Sequence, residues 1–381
     1  MIRLERYIPV GGERLRCGYT TGTCAAAAAR AAAELLLSGQ CPAQVVVDTP
    51  AGVPVTLEIE DHCAGTGWAQ CGVYKDGGDD PDATDGVRIE ARVERLPHPG
   101  IEIDGGAGVG RVTRPGLDQP PGAAAINTTP RRMIEEQVRS ALAKAKVTQG
   151  LRIVISVPEG ETLAAGTFNP RLGIEGGISI LGTSGIVRPM SEAALVDSVR
   201  LELDMAWAAG GRDVVVTPGN YGETFAREIL HLPLNYHAQC SNYIGEAIDY
   251  AAGLGFSSML LVGHLGKLIK VAAGNMNTHS RVADGRRECL TAHAALCGAG
   301  RDTLEQLFQA ATTDAGIAIL DKVGLRGPVM TSVARSLEQV LEQRAGEMAI
   351  GAVFFSQKYG ILGKTARAEE LLSRNRLVAE V

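Results

Sequence analysis

In GHLGKLIKVAAGNMNTHSRVADGRRE (263–288), two imidazoles and two amines fall within one short stretch: His264, Lys267, Lys270 and His279. His264 and His279 are the candidate catalytic acid–base groups, because imidazole titrates near neutrality. A hydrogen-bonded structural histidine fits the same letters. No HExxH, no nucleophile elbow in a hydrolase setting and no P-loop occurs, so three common hydrolytic and phosphoryl-transfer signatures are missing.

A second chemical stretch is GYTTGTC (18–24), which runs straight into an alanine block. Thr20, Thr21 and Thr23 sit where the N-cap and the first free N–H groups of a helix belong. Hydroxyls, free N–H groups and the helix dipole together make an anion or carboxylate cradle. A cap alone needs only one threonine.

Three glycine-bearing loops each follow an apolar run. They are Gly182-Thr183-Ser184-Gly185, then Thr217-Pro218-Gly219-Asn220, then Gly263-His264. In an open α/β sheet, ligands bind at the carboxyl ends of strands. The three loops are expected to converge on one crevice of adenosyl or nucleotide type. GGAGVGRVTRPG (105–116) misses the GxGxxG spacing and reads as a glycine-rich hairpin projecting Arg111 and Arg114. Arg131 and Arg132 stand at a helix start, where the dipole disfavours cations, so an anion is expected to meet them. KDGGDDPDATDG (75–86) lacks the closing glutamate of an EF-hand and reads as a solvated acidic loop.

The elements that position these residues fall into two patterns. Residues 25–38 predict a helix stopped by Gly39, and 44–50 with 53–61 predict a hairpin turning at Ala51-Gly52. Further alternating runs at 87–96 and 101–106, then a helix over 131–145, complete an α+β domain with a mainly antiparallel sheet. After VTQG, strands alternate with helices. The runs at 151–160 and 178–189, the helix over 191–211 with Leu195, Val199, Leu203 and Ala206 on one face, and the strand at 213–220 predict a Rossmann-like α/β layered domain. The expected domains are therefore 1–148 and 149–381, with 285–346 mainly helical.

Composition bounds the class. The 381 residues exceed one ordinary domain, and 45% hydrophobic with 21% charged residues is normal for a globular protein. A net charge of −6 argues against nucleic-acid binding. The eight cysteines show no CxxC spacing and are expected as reduced thiols in a cytoplasmic protein, with no protein-bound metal. No apolar run reaches the ~20 residues of a membrane span, so no membrane partner is expected.

GYTTGTCAAAAARAAA, PGAAAINTTPRRMI, FNPRLGIEGGISILGTSGIVRPMSEAAL, TPGNYGE, QCSNYIGEAID and GHLGKLIKVAAGNMNTHSRVADGR together resemble the cobalt-precorrin-5B C(1)-methyltransferases of anaerobic cobalamin synthesis. The resemblance runs from about residue 12 to 360. One departure is Gly122-Ala123-Ala124, where a Glu-Pro is expected before Ala-Ile-Asn.

The resemblance implies methyl transfer from S-adenosylmethionine to ring carbon 1 of a cobalt corrinoid, with the cobalt carried by the substrate. On that reading Gly182, Thr183, Ser184, Gly185, Thr217, Gly219, Asn220 and Gly263 hold the cofactor. Thr20, Thr21, Thr23, Arg111, Arg114, Arg131 and Arg132 hold the substrate's acetate and propionate carboxylates. Homo-oligomerisation and transient contact with neighbouring pathway enzymes stay open. A non-catalytic corrinoid carrier and an NAD-dependent oxidoreductase are the alternatives, the second weakened by the missing GxGxxG.

Overall fold

Alanine dominates the Thr21–Ser38 helix because that helix is buried on nearly every side. Ala25 to Ala29 and Ala31 to Ala33 are all fully buried. It packs on the Thr128–Ala145 helix and on the strands Trp68–Tyr74 and Arg88–Leu96. Only a small side chain lets a helix approach two neighbours so closely. Gly39, with φ 77°, ends it in the left-handed conformation, and its N–H donates to the Leu35 carbonyl.

The computed structural model describes residues 2–10 and 12–377. It divides into two compact units, Met1–Glu192 and Ala193–Val381. The expected boundary at 148/149 is thus corrected to 192/193. The reason is the strand Gly150–Ser156, which lies inside the amino-terminal sheet. Leu151, Ile153 and Ile155 alternate with Arg152, Val154 and Ser156, and only the first set is fully buried. Such alternation belongs to a sheet with one solvated face, whereas strands of a parallel sheet covered on both sides read as continuous apolar runs.

The sheet of the first unit orders Asp61–Gly65, Trp68–Tyr74, Arg88–Leu96, Gly150–Ser156 and Ile101–Gly105. Its first three pairings are antiparallel and the last is parallel, with Leu151 opposite Ile101. Gln44–Asp48 and Pro54–Glu58 form the expected hairpin as a separate antiparallel pair.

The second unit has a five-stranded sheet. His237–Gln239, Asp213–Thr217, Ser258–His264 and Ala349–Ser356 run parallel in that order, and Gly360–Lys364 joins antiparallel at the edge. Helices cover both faces. Asn220–Glu228 and Ala368–Leu377 pack with Val215, Leu260 and Val353. Ile244–Leu254, Leu265–Ala272 and Arg326–Ala345 pack with Val214, Val216, Met259 and Leu261. The helix expected over 191–211 is Glu192–Ala208. Val199, Leu203 and Ala206 are buried in the core, but Leu195 is exposed. The chain is a mixed α/β protein with sheets of mixed orientation. No helix among the described residues is long and apolar enough to cross a membrane.

Candidate functional site

The threonine-rich helix start does meet oxygen atoms, but they belong to the protein. Thr20 N–H and the Thr23 hydroxyl both donate to the Gly185 carbonyl, at 3.1 and 2.7 Å. Gly22 N–H donates to the Leu181 carbonyl (3.1 Å), and Leu181 N–H donates to the Thr21 hydroxyl (2.9 Å). Thr20 Oγ1 caps the helix by accepting from Thr23 N–H. The positive end of the helix dipole is thus occupied by carbonyl oxygens of the 181–185 loop. Thr20, Thr21 and Thr23 are buried. They clamp that loop, which replaces the expected carboxylate cradle.

The loop's glycines serve the same contact. Gly182 has φ 128°, and a Cβ there would lie 2.4 Å from Thr20; Gly185 has φ 77°, and its Cβ would lie 2.7 Å from Thr49. Gly182, Thr183, Ser184 and Gly185 therefore belong to the amino-terminal unit and bind its alanine helix. They do not sit at a carboxyl end of the parallel sheet, which corrects their grouping with the other glycine loops. The acidic loop is tied inward at its start, while Asp79 and Asp85 are exposed as expected. Lys75 is 1% exposed and pairs with Asp82 at 2.7 Å, and the Arg16 guanidinium holds buried Asp76 with two hydrogen bonds. Burial works against the Asp76 carboxylate, but the Arg16 hydrogen bonds, the Gly78 N–H and the nearby arginine charges together hold it below the usual carboxylate range.

The four arginines separate. Arg131 is consumed by structure: it donates to the carbonyls of Ile126, Ile103 and Ala124. Arg111 pairs with Asp104 at 2.8 Å and bonds the Gly105 carbonyl, with 44% of its side chain exposed. Arg132 is exposed beside Glu136 at 3.9 Å. Arg114 is exposed, and its stem lies over Gly173. An anion does meet this helix start, but it is Asp118, which accepts from both the N–H and the hydroxyl of Thr128.

The remaining predicted residues do come together. Asp213–Thr217 has His237–Gln239 on one side and Ser258–His264 on the other, so the strand order switches between Asp213–Thr217 and Ser258–His264. Ligand crevices of open α/β sheets form at such a switch, outside the carboxyl ends. Thr217, Gly219, Asn220, Gly263 and His264 all lie there. Gly219, with φ 116°, opens the Asn220–Glu228 helix, and a Cβ on it would meet nothing within 4 Å. A Cβ on Gly263 would lie 3.2 Å from the Pro218 ring. The Thr217 hydroxyl shares a hydrogen bond of 2.9 Å with His237 Nε2. Gln239 donates its side-chain amide to Asn220 (3.0 Å) and Glu223 (2.8 Å).

Lys267 is the residue whose role sequence reasoning missed. Its Nζ donates to the Pro218 and Ser241 carbonyls, at 2.8 and 3.1 Å, so one amine ties three carboxyl-end loops. Burial pushes it below the usual lysine range. The available signal was its place one helical turn after His264, facing the same strand ends.

His264 caps the Leu265–Ala272 helix by accepting from Gly266 N–H at Nδ1 (3.0 Å). The neutral ring therefore carries its proton on Nε2 and offers a donor there. Burial lowers its pKa below the usual histidine value, opposed by Asp314. While it caps, it cannot accept a proton at Nδ1, so its chemistry is donation from Nε2. His279 is exposed, with Nδ1 accepting from Arg281 N–H (3.1 Å). Lys270 is buried and donates to the Thr278 and Ala283 carbonyls, anchoring the loop that carries His279.

The carboxy-terminal unit is an open α/β sheet with an open glycine and a helix N-terminus at its strand-order switch. The chain belongs to the CbiD family: residues 9–189 match CbiD and residues 277–366 match the CbiD C-terminal domain. It is 47% identical to the cobalt-precorrin-5B C(1)-methyltransferase of Ruminiclostridium cellulolyticum, over 93% of this chain and 92% of that protein. The protein of that name from Alkaliphilus metalliredigens is 43% identical over 97% of both chains, and that of a Thermoanaerobacter species is 48% identical over 84% and 87%. A crystal structure of the cobalamin biosynthesis protein cbiD from Archaeoglobus fulgidus is 33% identical, covering 73% of this chain and 86% of that one, with a TM-score of 0.40.

Proposed function

We propose that this chain methylates carbon 1 of cobalt-precorrin-5B, with S-adenosylmethionine as donor, in anaerobic cobalamin synthesis in the cytoplasm. The observation that carries the reading is 47% identity over 93% of the chain to a protein named for that reaction. When bound, the donor supplies an activated methyl on a positively charged sulfur. A new bond forms from carbon 1 to that methyl. The carbon–sulfur bond breaks with its electron pair going to sulfur, and S-adenosylhomocysteine and the methylated corrinoid, cobalt-precorrin-6A, result.

Thr217, Gly219, Asn220, Gly263 and the first N–H groups of the Asn220–Glu228 helix would hold the donor in a Rossmann-like arrangement. The open space beside Gly219 supports that placement, because close approach to a ligand is what a Cβ would block. Lys267 keeps the three loops in register, and His264 Nε2 donates a hydrogen bond into the crevice. His279, exposed on its loop, is kept as the second acid–base candidate. Arg111, Arg114 and Arg132 would bind carboxylates of the corrinoid, whose cobalt is part of the substrate. The chain's work is alignment and exclusion of water, since nucleophile and donor are both already reactive.

The test is titration of the full chain with S-adenosylhomocysteine, then incubation with cobalt-precorrin-5B and S-adenosylmethionine. One-site binding and a gain of one methyl by mass are expected. Corrinoid binding with no methyl gained would make the protein a carrier instead.

A further inference from the structure

In the carboxy-terminal unit, two helices open onto one recess. The first turns of Arg286–Leu296 and Thr313–Lys322 both line a cavity of about 140 Å³. Its floor is apolar, made by Leu290, Leu307 and Ala310. Its wall is polar, formed by Asp284, Arg286, Arg287, Thr312 and Thr313. Arg286 is committed to Asp284 through two hydrogen bonds of 2.6 and 2.8 Å, which makes that pair neutral. Arg287 has only the Phe308 ring, 5.5 Å from its guanidinium carbon, and no carboxylate partner among the described residues. Glu288 and Asp314 stand in the two first turns but do not line the cavity.

One further feature points to a ligand. Thr313 lines the cavity and is 6% exposed, yet its hydroxyl makes no hydrogen bond among the described residues. In the Arg286–Leu296 helix the Gly285 N-cap has no side chain, and the Arg286 N–H donates to Asp284 Oδ1 at 3.4 Å. Asp284 and Thr312 already accept at the two helix starts, so what favours an anion here is the Arg287 guanidinium, without a carboxylate partner among the described residues, and the Thr313 hydroxyl. The apolar floor favours methylenes over a fully oxygenated anion. An apolar cavity of about 150 Å³ accepts a benzene-sized molecule, so a few heavy atoms fit here.

We propose that this recess binds a short-chain aliphatic carboxylate, its chain on Leu290, Leu307 and Ala310 and its carboxylate on Arg287 and Thr313. Two sources share that chemistry: an acetate or propionate arm of the corrinoid, which rests on the function proposed above, and a free short-chain acid.

The probe is propionate, titrated into the full chain at constant ionic strength with chloride as reference. Saturable one-site binding is expected, weakened at least fivefold by Arg287→Gln and by Thr313→Val. Arg287 is exposed, so its variant keeps the fold. Propionate acting no differently from chloride, or binding both variants as tightly as the parent, overturns the site. Competition then names the source. A rise in corrinoid KM with propionate assigns the arm, and an unchanged KM assigns the free acid. The titration needs no methyl transfer, so loss of the enzymatic reading leaves it standing.

Discussion

The Thr23 hydroxyl donates to the Gly185 carbonyl at 2.7 Å across 162 residues of sequence. Both groups are buried, so the bond ties a loop near the end of the amino-terminal unit to the start of its central helix.

Breaking that contact should cost stability rather than ligand affinity. Thr23→Val removes one of two donors to the Gly185 carbonyl, which keeps the Thr20 N–H, a loss of about 0.5–1.5 kcal/mol. Gly182→Ala, at φ 128° and with its new carbon 2.4 Å from Thr20, should cost about 2 kcal/mol or more. Urea denaturation midpoints of the full chain measure both. Normal stability in either variant, with weakened corrinoid binding, would restore the carboxylate-cradle reading.

Lys267→Met keeps most of the stem and removes the donor to Pro218 and Ser241. With the loops released, S-adenosylhomocysteine affinity should fall at least tenfold, about 1.4 kcal/mol. Corrinoid affinity measured alone should not change. Equal loss of both affinities would mean general unfolding, and circular dichroism of the variant checks that.

His264 is held neutral by burial. Its folded pKa lies below the unfolded value of about 6.5, so the unfolded chain binds the proton more readily. The stability it contributes is complete above pH ~6.5 and is lost as pH falls through the lower folded value. His264→Asn keeps a cap acceptor, so stability should hold while that pH slope disappears. His264→Ala should lose about 1 kcal/mol through the cap. If Nε2 also serves the reaction, kcat falls in the asparagine variant while stability does not. An unchanged slope below pH 6.5 in His264→Asn would show that another group titrates there.

Local chemistry was readable where it acts locally. The Gly39 stop, the Ala51-Gly52 hairpin and the continuous apolar strands at 213–217 and 258–264 follow from neighbouring residues alone. The loops Thr217–Asn220 and Gly263–His264 follow adjacent parallel strands, because strand, loop and helix are consecutive there. The Gly182–Gly185 loop was drawn to the same crevice by its similar letters. A glycine-threonine loop looks alike whether its glycines make room for a ligand or for Thr20.

The amino-acid sequence by itself determined the helix and strand types, the caps and the family, since these depend on periodicity, turn chemistry and matching runs of residues. Only the tertiary structure decided which donors were already spent. Arg131 on three carbonyls, Asp118 on Thr128 and Thr23 on Gly185 are pairings over distances of 5 to 162 residues. A hydrogen bond saturates its donor whatever the sequence separation. An exposed cation and a buried structural one are therefore written with the same letter, and packing tells them apart.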